Sequence, residues 1–234
     1  MDITYCNKNC PKGIEACAKF LNEADSVFDA AFDFQSFVEN CYKTCKYQAE
    51  HAKKKPKMKV CCISAKARHG KDTAAAMMAE YLESKGQRVL ITHFADLLKF
   101  ICVKFFGWNG DKDEAGRTLL QRIGTDVIGA KKPEYWAEFI VDVLKFFEED
   151  WDYVLIPDTR YPIEISTMKK NFETVVLRVE RPGFESNLTE EQKQHASEVS
   201  LDDYKFDAVL HNDGSLKVFE GKVKWFVDNF LLAN

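Results

Sequence analysis

From about Lys59 onward, short apolar runs alternate with longer amphipathic segments. Val60–Ile63, Arg88–Phe94, Tyr153–Ile156, Thr174–Val179 and Phe206–Leu210 are dominated by Val, Ile, Leu and Phe, which predicts strands buried on both faces. Between them, Ala74–Leu82, Ala95–Phe106, Lys112–Asp126, Pro133–Glu149, Pro162–Lys170 and Ser215–Leu232 carry helical patterns. In Pro133–Glu149, the residues Trp136, Phe139, Ile140, Val143, Leu144 and Phe147 fall at core spacing, and Pro133 suits the first helical position. Strands that alternate with helices imply an α/β domain with a parallel five-stranded sheet flanked by helices. Phe184–Ser200 has no apolar stripe and reads as a polar lid over about residues 182–200.

The pattern before Lys59 is different. Pro11–Glu23 and Ser26–Glu50 predict two helices, the second with Phe34, Val38, Cys41 and Cys45 on one stripe. The run KKKPKMK, Lys53–Lys59, then reads as a linker, or as a contact for phosphates. This divides the chain into a small helical, cysteine-containing N-terminal extension, residues 1–55, and a main domain, residues 56–234.

Composition narrows the setting. Apolar residues make up 46% and charged residues 30% of the 234 residues, as in a globular protein with a sizeable core. The net charge of −4, from 33 basic and 37 acidic residues, disfavours nucleic acid or an anionic membrane as the main partner. The longest apolar stretch, Phe94–Trp108, is broken by Asp96, Lys99 and Lys104, and it is shorter than the roughly 20 residues a membrane span requires. Met1–Lys12 lacks the basic start and apolar segment of a secretion signal, so a cytoplasmic protein is expected. A homodimer is compatible with the sequence but not required by it.

Cysteine usage adds one open question. Cys61, Cys62 and Cys102 fall in apolar elements and read as core residues. Cys6/Cys10 and Cys41/Cys45 are CxxxC pairs, with Cys17 as a fifth candidate. Reduced thiols, a structural Zn²⁺ held by Cys6, Cys10, Cys41 and Cys45, or disulfides are the three readings of these residues.

The chemistry gathers at Lys59–Thr73, KVCCISAKARHGKDT. An apolar strand, a loop ending in Gly70 and Lys71, and an Ala-rich helix make an anion cradle built from backbone N–H groups and a helix N-terminus. Against the usual GxxxxGK[ST] spacing, Ala65 stands where the first glycine is expected, and Asp72 and Thr73 replace the single hydroxyl residue. Asp72 and Thr73 are also suited to cap the first turn. Downstream, Tyr153–Ile156 ends in Pro157, Asp158, Thr159 and Arg160. An aspartate at such a strand edge either helps hold Mg²⁺ or caps the helix Pro162–Lys170. The histidines are scattered singly, with no nucleophile-base-acid triad. A cation recurs instead at each strand end or at the start of the next helix: Lys71, Lys99, Arg117, Arg160 and Arg181. Such a set suits phosphoryl transfer, which depends mainly on alignment and charge neutralisation.

Taken together, KARHGKDT, HFADLLK, KDEAGRTLLQRIGTD, IPDTRYPIE, HASE and FDAVLHNDG resemble, in this order, the phage and bacterial deoxynucleoside monophosphate kinases of the P-loop kinase superfamily. The similarity covers about Lys59–Asn234 and does not reach residues 1–55. Leu97 departs from the FADPLK form common in such enzymes. The resemblance implies a P-loop kinase fold and ATP-dependent phosphorylation of deoxynucleoside monophosphates. It also implies a set of site residues. Lys66, Ala67, Arg68, His69, Gly70, Lys71, Asp72, Thr73 and Asn212 would bind ATP, with Lys71 on the β- and γ-phosphates. Asp72, Thr73 and Asp158 would hold Mg²⁺. Asp96, Lys99, Arg117, Gln121, Asp158 and Arg160 would face the monophosphate, and Arg181, His195 and Glu198 would close from the lid, with Lys71, Arg117, Arg160 and Arg181 as the catalytic cations. Two alternatives stay open: another small-molecule P-loop kinase acting on dephospho-coenzyme A or phosphomevalonate, and a non-catalytic nucleotide-binding regulator.

Overall fold

Lys59–Ala65 forms β1, and from Val60 to Ala65 every residue is buried. The computed structural model describes residues 58–111, 113–186 and 189–233. The predicted helices and cysteine cluster of residues 1–55, and Lys53–Lys57 of the basic run, lie outside the described residues.

β1 is central because it can be apolar on both faces. It pairs in parallel with β3, Tyr153–Ile156, from Lys59↔Tyr153 to Cys62↔Ile156, and with β4, Glu173–Glu180, from Lys59↔Glu173 to Ala65↔Val179. β2, Val89–Ile91, and β5, Ala208–His211, are the edges of a five-stranded parallel sheet ordered β2-β3-β1-β4-β5. Side chains alternate along each strand, so one sequence fills two cores.

Val60, Cys62, Val154, Ile156 and Val176 face one side. They pack against α2, Asp96–Phe106, α4, Tyr135–Phe146, and α5, Pro162–Asn171, through residues such as Leu98, Cys102, Leu144 and Met168. Cys61, Ile63, Leu155, Leu177 and Val179 face the other side. There α1, Lys71–Ser84, and α8, Leu216–Phe226, supply Met78, Leu82, Phe219 and Phe226. Burying each such side chain contributes about 1.5–3 kcal/mol, and the small residues Ala74, Ala75 and Ala79 let α1 lie close on the sheet. The three described cysteines, Cys61, Cys62 and Cys102, are buried free thiols, as their apolar settings suggest. Burial pushes the Cys62 thiol up to about 12 and holds Cys61 well above the usual thiol value, so neither is a nucleophile.

Several boundaries differ from the sequence expectation. β2 is only three residues long, and Phe94 leaves the sheet to become buried. The N–H groups of Phe94 and Ala95 donate instead to the Asp158 carboxylate at 3.0 and 3.1 Å, which bends the chain away from β3. Asp158 therefore does not cap α5. The backbone N–H groups before that helix, on Arg160 and Tyr161, donate to Glu164 at 2.7 and 2.9 Å. Pro133 precedes α4 by two positions, because the helix begins at Tyr135, and α4 ends at Phe146 rather than Glu149. The Lys112–Asp126 segment folds as α3, Glu114–Gln121, capped by the Asp113 carboxylate on the Gly116 N–H at 2.7 Å. It then continues as a π-helical stretch, Arg122–Gly129. The lid region holds two short helices, α6, Glu190–Gln194, and α7, Ala196–Val199. Thr189 opens the first, accepting from the Gln192 N–H. α8 passes into a π-helical turn, Val227–Leu231, instead of running on regularly. Among the described residues, no helix is long and apolar enough to cross a membrane.

Candidate active site

The loops that follow β1, β2 and β3 converge at the C-terminal edge of the sheet, where open parallel sheets bind ligands. They enclose a cavity of about 520 Å³. One end is formed by the loop between β1 and α1. Ala65, at the position where a glycine is expected, is the last residue of β1 and is buried in extended backbone opposite Val179. A methyl side chain fits there, so the first glycine is dispensable. The unusual backbone lies further along, at Arg68 with φ 63° and Gly70 with φ 104°. A Cβ on Gly70 would stand 2.7 Å from the Asn212 side-chain nitrogen, so only glycine fits this turn. Gly70 occupies the N-cap of α1 without any side-chain cap, so Asp72 and Thr73 do not cap the helix. Its first N–H groups are left for a ligand.

Lys71 reaches the cavity, and its ammonium pairs with Asp72 at 2.5 Å. Asn212 donates to the His69 carbonyl at 3.1 Å and thus buttresses the loop from behind. His69 Nδ1 accepts the Arg181 N–H at 3.1 Å. Burial and the neighbouring Arg178 charge lower the His69 pKa, which favours the neutral ring that this contact requires. The Lys66 ammonium turns away from the loop, to the Glu198 carbonyl at 2.6 Å and to Asp202 at 2.7 Å.

The rest of the lining combines basic side chains with apolar ones such as Leu98, Leu120 and Trp136. Lys99, Arg117, Gln121 and Arg160 belong to this lining. Asp96 does not face the cavity: it takes the His93 N–H at 2.9 Å and the Lys99 ammonium at 2.9 Å. Desolvation raises the Asp96 pKa, but the hydrogen bond and charge of Lys99 outweigh it and leave a net downward shift. Asp96 thus orients Lys99. At the back, Gly124 lies so close to α2 that a Cβ would sit 2.6 Å from a Leu98 methyl. Its carbonyl accepts the Trp136 indole N–H at 3.1 Å, pinning the π-helical stretch. π-Helical turns are frequent at functional sites.

The lid supplies the roof. His195, Ser197 and Glu198 line the cavity, and Arg160 donates through Nη1 to the Ser197 carbonyl at 2.9 Å and to Glu198. Arg181 is exposed outside the wall, its guanidinium 4.5 Å from the centre of the Phe184 ring. Thr73 is exposed on the first turn of α1. Among the described residues, no cluster of three or more His, Cys, Asp or Glu side chains forms a ready metal cage.

Sequence reasoning missed three contributors. Glu164 lines the cavity and is fully buried, and desolvation, reinforced by Asp158, pushes its pKa up to about 8 against its two backbone hydrogen bonds. The Tyr161 hydroxyl is buried without a hydrogen-bond partner among the described residues. Arg178, in the middle of β4, is buried with its guanidinium on Ser64 at 3.1 Å and Asp202 at 3.4 Å. Arg178 carried a signal, since a lone charge inside an apolar strand demands a partner.

A protein-family profile described as deoxynucleotide monophosphate kinase matches residues 91–223. Two curated relatives carry that same name. The one from Enterobacteria phage T4 is 37% identical over 110 residues, and the one from Escherichia phage RB69 is 33% identical over 110 residues. Each match covers 46% of this chain and 43% of the relative, so the matched stretch spans less than half of either relative's length. An APS kinase structure from Mycobacterium tuberculosis aligns over 74% of this chain and 99% of its own, at 12% identity and a TM-score of 0.42. The family profile spans more than half of the chain, and on that ground the chain belongs to the deoxynucleotide monophosphate kinase family.

Proposed function

We propose that the chain transfers the γ-phosphoryl group of ATP to a deoxynucleoside monophosphate, giving ADP and a deoxynucleoside diphosphate. One observation carries this reading: a single cavity is lined both by the β1–α1 loop with Lys71 and by the cations Lys99, Arg117 and Arg160. Two anionic substrates can meet there with their phosphates aligned, and membership of the family supports the choice of acceptor.

In this mechanism the N–H groups of the loop from Lys66 to Lys71, other than those of Ala67 and His69, which donate to Glu198 and to the Lys66 carbonyl, cradle the ATP phosphates, and the Lys71 ammonium spans the β- and γ-phosphates. Lys99, Arg117 and Arg160 hold the acceptor monophosphate. An oxygen of that monophosphate attacks the γ-phosphorus, the bond to the β–γ bridging oxygen breaks, and ADP leaves with the electron pair. The attacking oxygen is already anionic, so no general base is needed. The lid residues His195, Ser197 and Glu198 cover the reacting groups and limit access of water.

Mg²⁺ in such sites is held mostly by substrate phosphates and by one or two protein oxygens, so no all-protein cage is required. Asp72 and Thr73, on the first turn of α1, fit that demand, with Asp158 as a further oxygen donor. The ion would neutralise the charge that develops between donor and acceptor. For Arg181 to act from the lid, its guanidinium must leave the Phe184 ring. Buried reduced cysteines suit a cytoplasmic setting.

The test is ADP release, coupled to a spectroscopic readout, with dGMP, dTMP, dCMP, dAMP and hydroxymethyl-dCMP as acceptors. Turnover with at least one is expected. Silence with all five, with ATP binding intact, would overturn the reading in favour of a regulator or a kinase of another acceptor.

A further inference from the structure

One carboxylate touches both halves of the cavity. Glu198, in α7, accepts the Ala67 N–H through Oε2 at 3.2 Å and the Arg160 Nη1 through Oε1, and its side chain is only 10% exposed. Ala67 belongs to the loop that cradles the donor phosphates, and Arg160 to the acceptor end. The Glu198 carbonyl accepts the Lys66 ammonium at 2.6 Å. That ammonium also pairs with Asp202, which in turn meets the buried Arg178 at 3.4 Å.

The geometry at Arg160 decides what Glu198 does. A guanidinium has five N–H groups in a rigid fork, and the two on Nη1 are taken by the Ser197 carbonyl and by Glu198. Among the described residues Nη2 and Nε take no hydrogen-bond partner, which leaves one edge of the fork for a ligand. Two parallel N–H groups on one edge match two oxygens of a phosphate. Glu198 uses up the inner edge and thereby presents the outer one. Its second oxygen fixes the backbone at Ala67 in the same act.

We propose that Glu198 is a positioning residue that orients Arg160 toward the acceptor phosphate and ties that orientation to the conformation of the donor loop, so that binding of either nucleotide favours binding of the other. It acts through Arg160 and Ala67 and touches neither phosphate. This inference rests on the kinase reading and adds to it a coupling between the two substrate sites. An arginine free to rotate would still attract a phosphate but would present the productive edge only part of the time. The same holds for the loop, whose Arg68 has a left-handed backbone.

The test is a double-mutant cycle on Glu198 and Arg160 in the full chain. Its probe is whichever of dGMP, dTMP, dCMP or dAMP the wild type phosphorylates fastest, with dissociation constants from calorimetry. Glu198→Ala is expected to weaken the acceptor roughly tenfold or more, and to abolish the tightening of ATP by bound acceptor. In an Arg160→Ala background the same substitution should add less than about twofold, because the group it acts through is already gone. An unchanged acceptor constant in Glu198→Ala, or an equal loss in both backgrounds, would overturn the proposal. If Glu198→Ala fails to fold, Glu198→Gln carries the test. It keeps the size and one acceptor oxygen but cannot accept at both positions, so an acceptor constant raised about threefold or more supports the role, and a wild-type value refutes it. Wild-type silence with every acceptor defeats the kinase reading itself, whereas wild-type turnover with intact coupling in Glu198→Ala defeats this inference alone.

Discussion

The side-chain nitrogen of Asn212 stands 2.7 Å from the point where a Cβ on Gly70 would lie, and Asn212 also donates to the carbonyl of His69 at 3.1 Å. The turn into α1 is thus built against the end of β5, and the loop that would cradle the donor phosphates is held from behind rather than from the cavity.

Gly70→Ala should therefore be damaging for two reasons, the steric clash and the positive φ of 104°. An alanine there costs roughly 1–3 kcal/mol and tilts the first N–H groups of α1 off the phosphates. The expected outcome is a loss of ATP affinity of roughly tenfold or more, measured by calorimetry, with a modest drop in thermal midpoint.

Lys71→Ala separates chemistry from folding. Its ion pair with Asp72 involves a carboxylate that is 67% exposed, so removing it should cost well under about 1 kcal/mol of stability. A cation aimed at the transferred phosphoryl acts mostly in the transition state, and kcat should fall about 10²- to 10³-fold. ADP-release kinetics and a thermal melt on the same sample check both halves.

Glu164 gives the fold a pH signature. Its carboxyl is raised from 4.5 to about 8 by burial, so between those values the folded chain holds a proton that the unfolded chain has released. That contribution is fully present below about pH 4.5 and is lost as the pH rises through about 8. Glu164→Gln removes the titration while leaving an oxygen for the Arg160 and Tyr161 N–H groups. Urea unfolding from pH 5 to 9 should show a fall in wild-type stability on the order of a few kcal/mol toward alkaline pH that is flatter in the variant.

Gly124→Ala probes the back of the cavity. The new methyl would meet Leu98 at 2.6 Å and displace a side chain that also lines the cavity. Such overpacking typically costs about 1–3 kcal/mol. The acceptor KM should rise several-fold or more while the ATP KM stays within about twofold, measured by varying each substrate in turn.

How much of this was legible in the residues follows from what each signal depends on. β3 is read at its true limits, since an apolar run bounded by polar residues needs no knowledge of its neighbours. The length of β2 depends on a partner distant in sequence, because Asp158 takes the N–H groups of Phe94 and Ala95, and no local pattern reveals that. Lys99, Arg117, Gln121 and Arg160 line one cavity, although Lys99 lies in α2 and Arg117 and Gln121 lie in α3 rather than at strand ends. Asp96 was expected at the substrate and instead orients Lys99, a distinction set by side-chain direction rather than sequence position. Arg181 ends over the Phe184 ring, a contact set by side-chain direction that its place after a strand does not reveal. Ala65 read as a defect in the loop only because the glycine rule was applied to a residue that belongs to the strand.

The central claim is that donor and acceptor phosphates meet in this cavity. The most direct measurement is transfer of label from [γ-³²P]ATP to unlabelled dNMPs, with products separated by thin-layer chromatography. The account predicts labelled dNDP with at least one acceptor, and its loss in Lys71→Ala. Label released only as inorganic phosphate, or labelled dNDP formed equally well by Lys71→Ala, would contradict it.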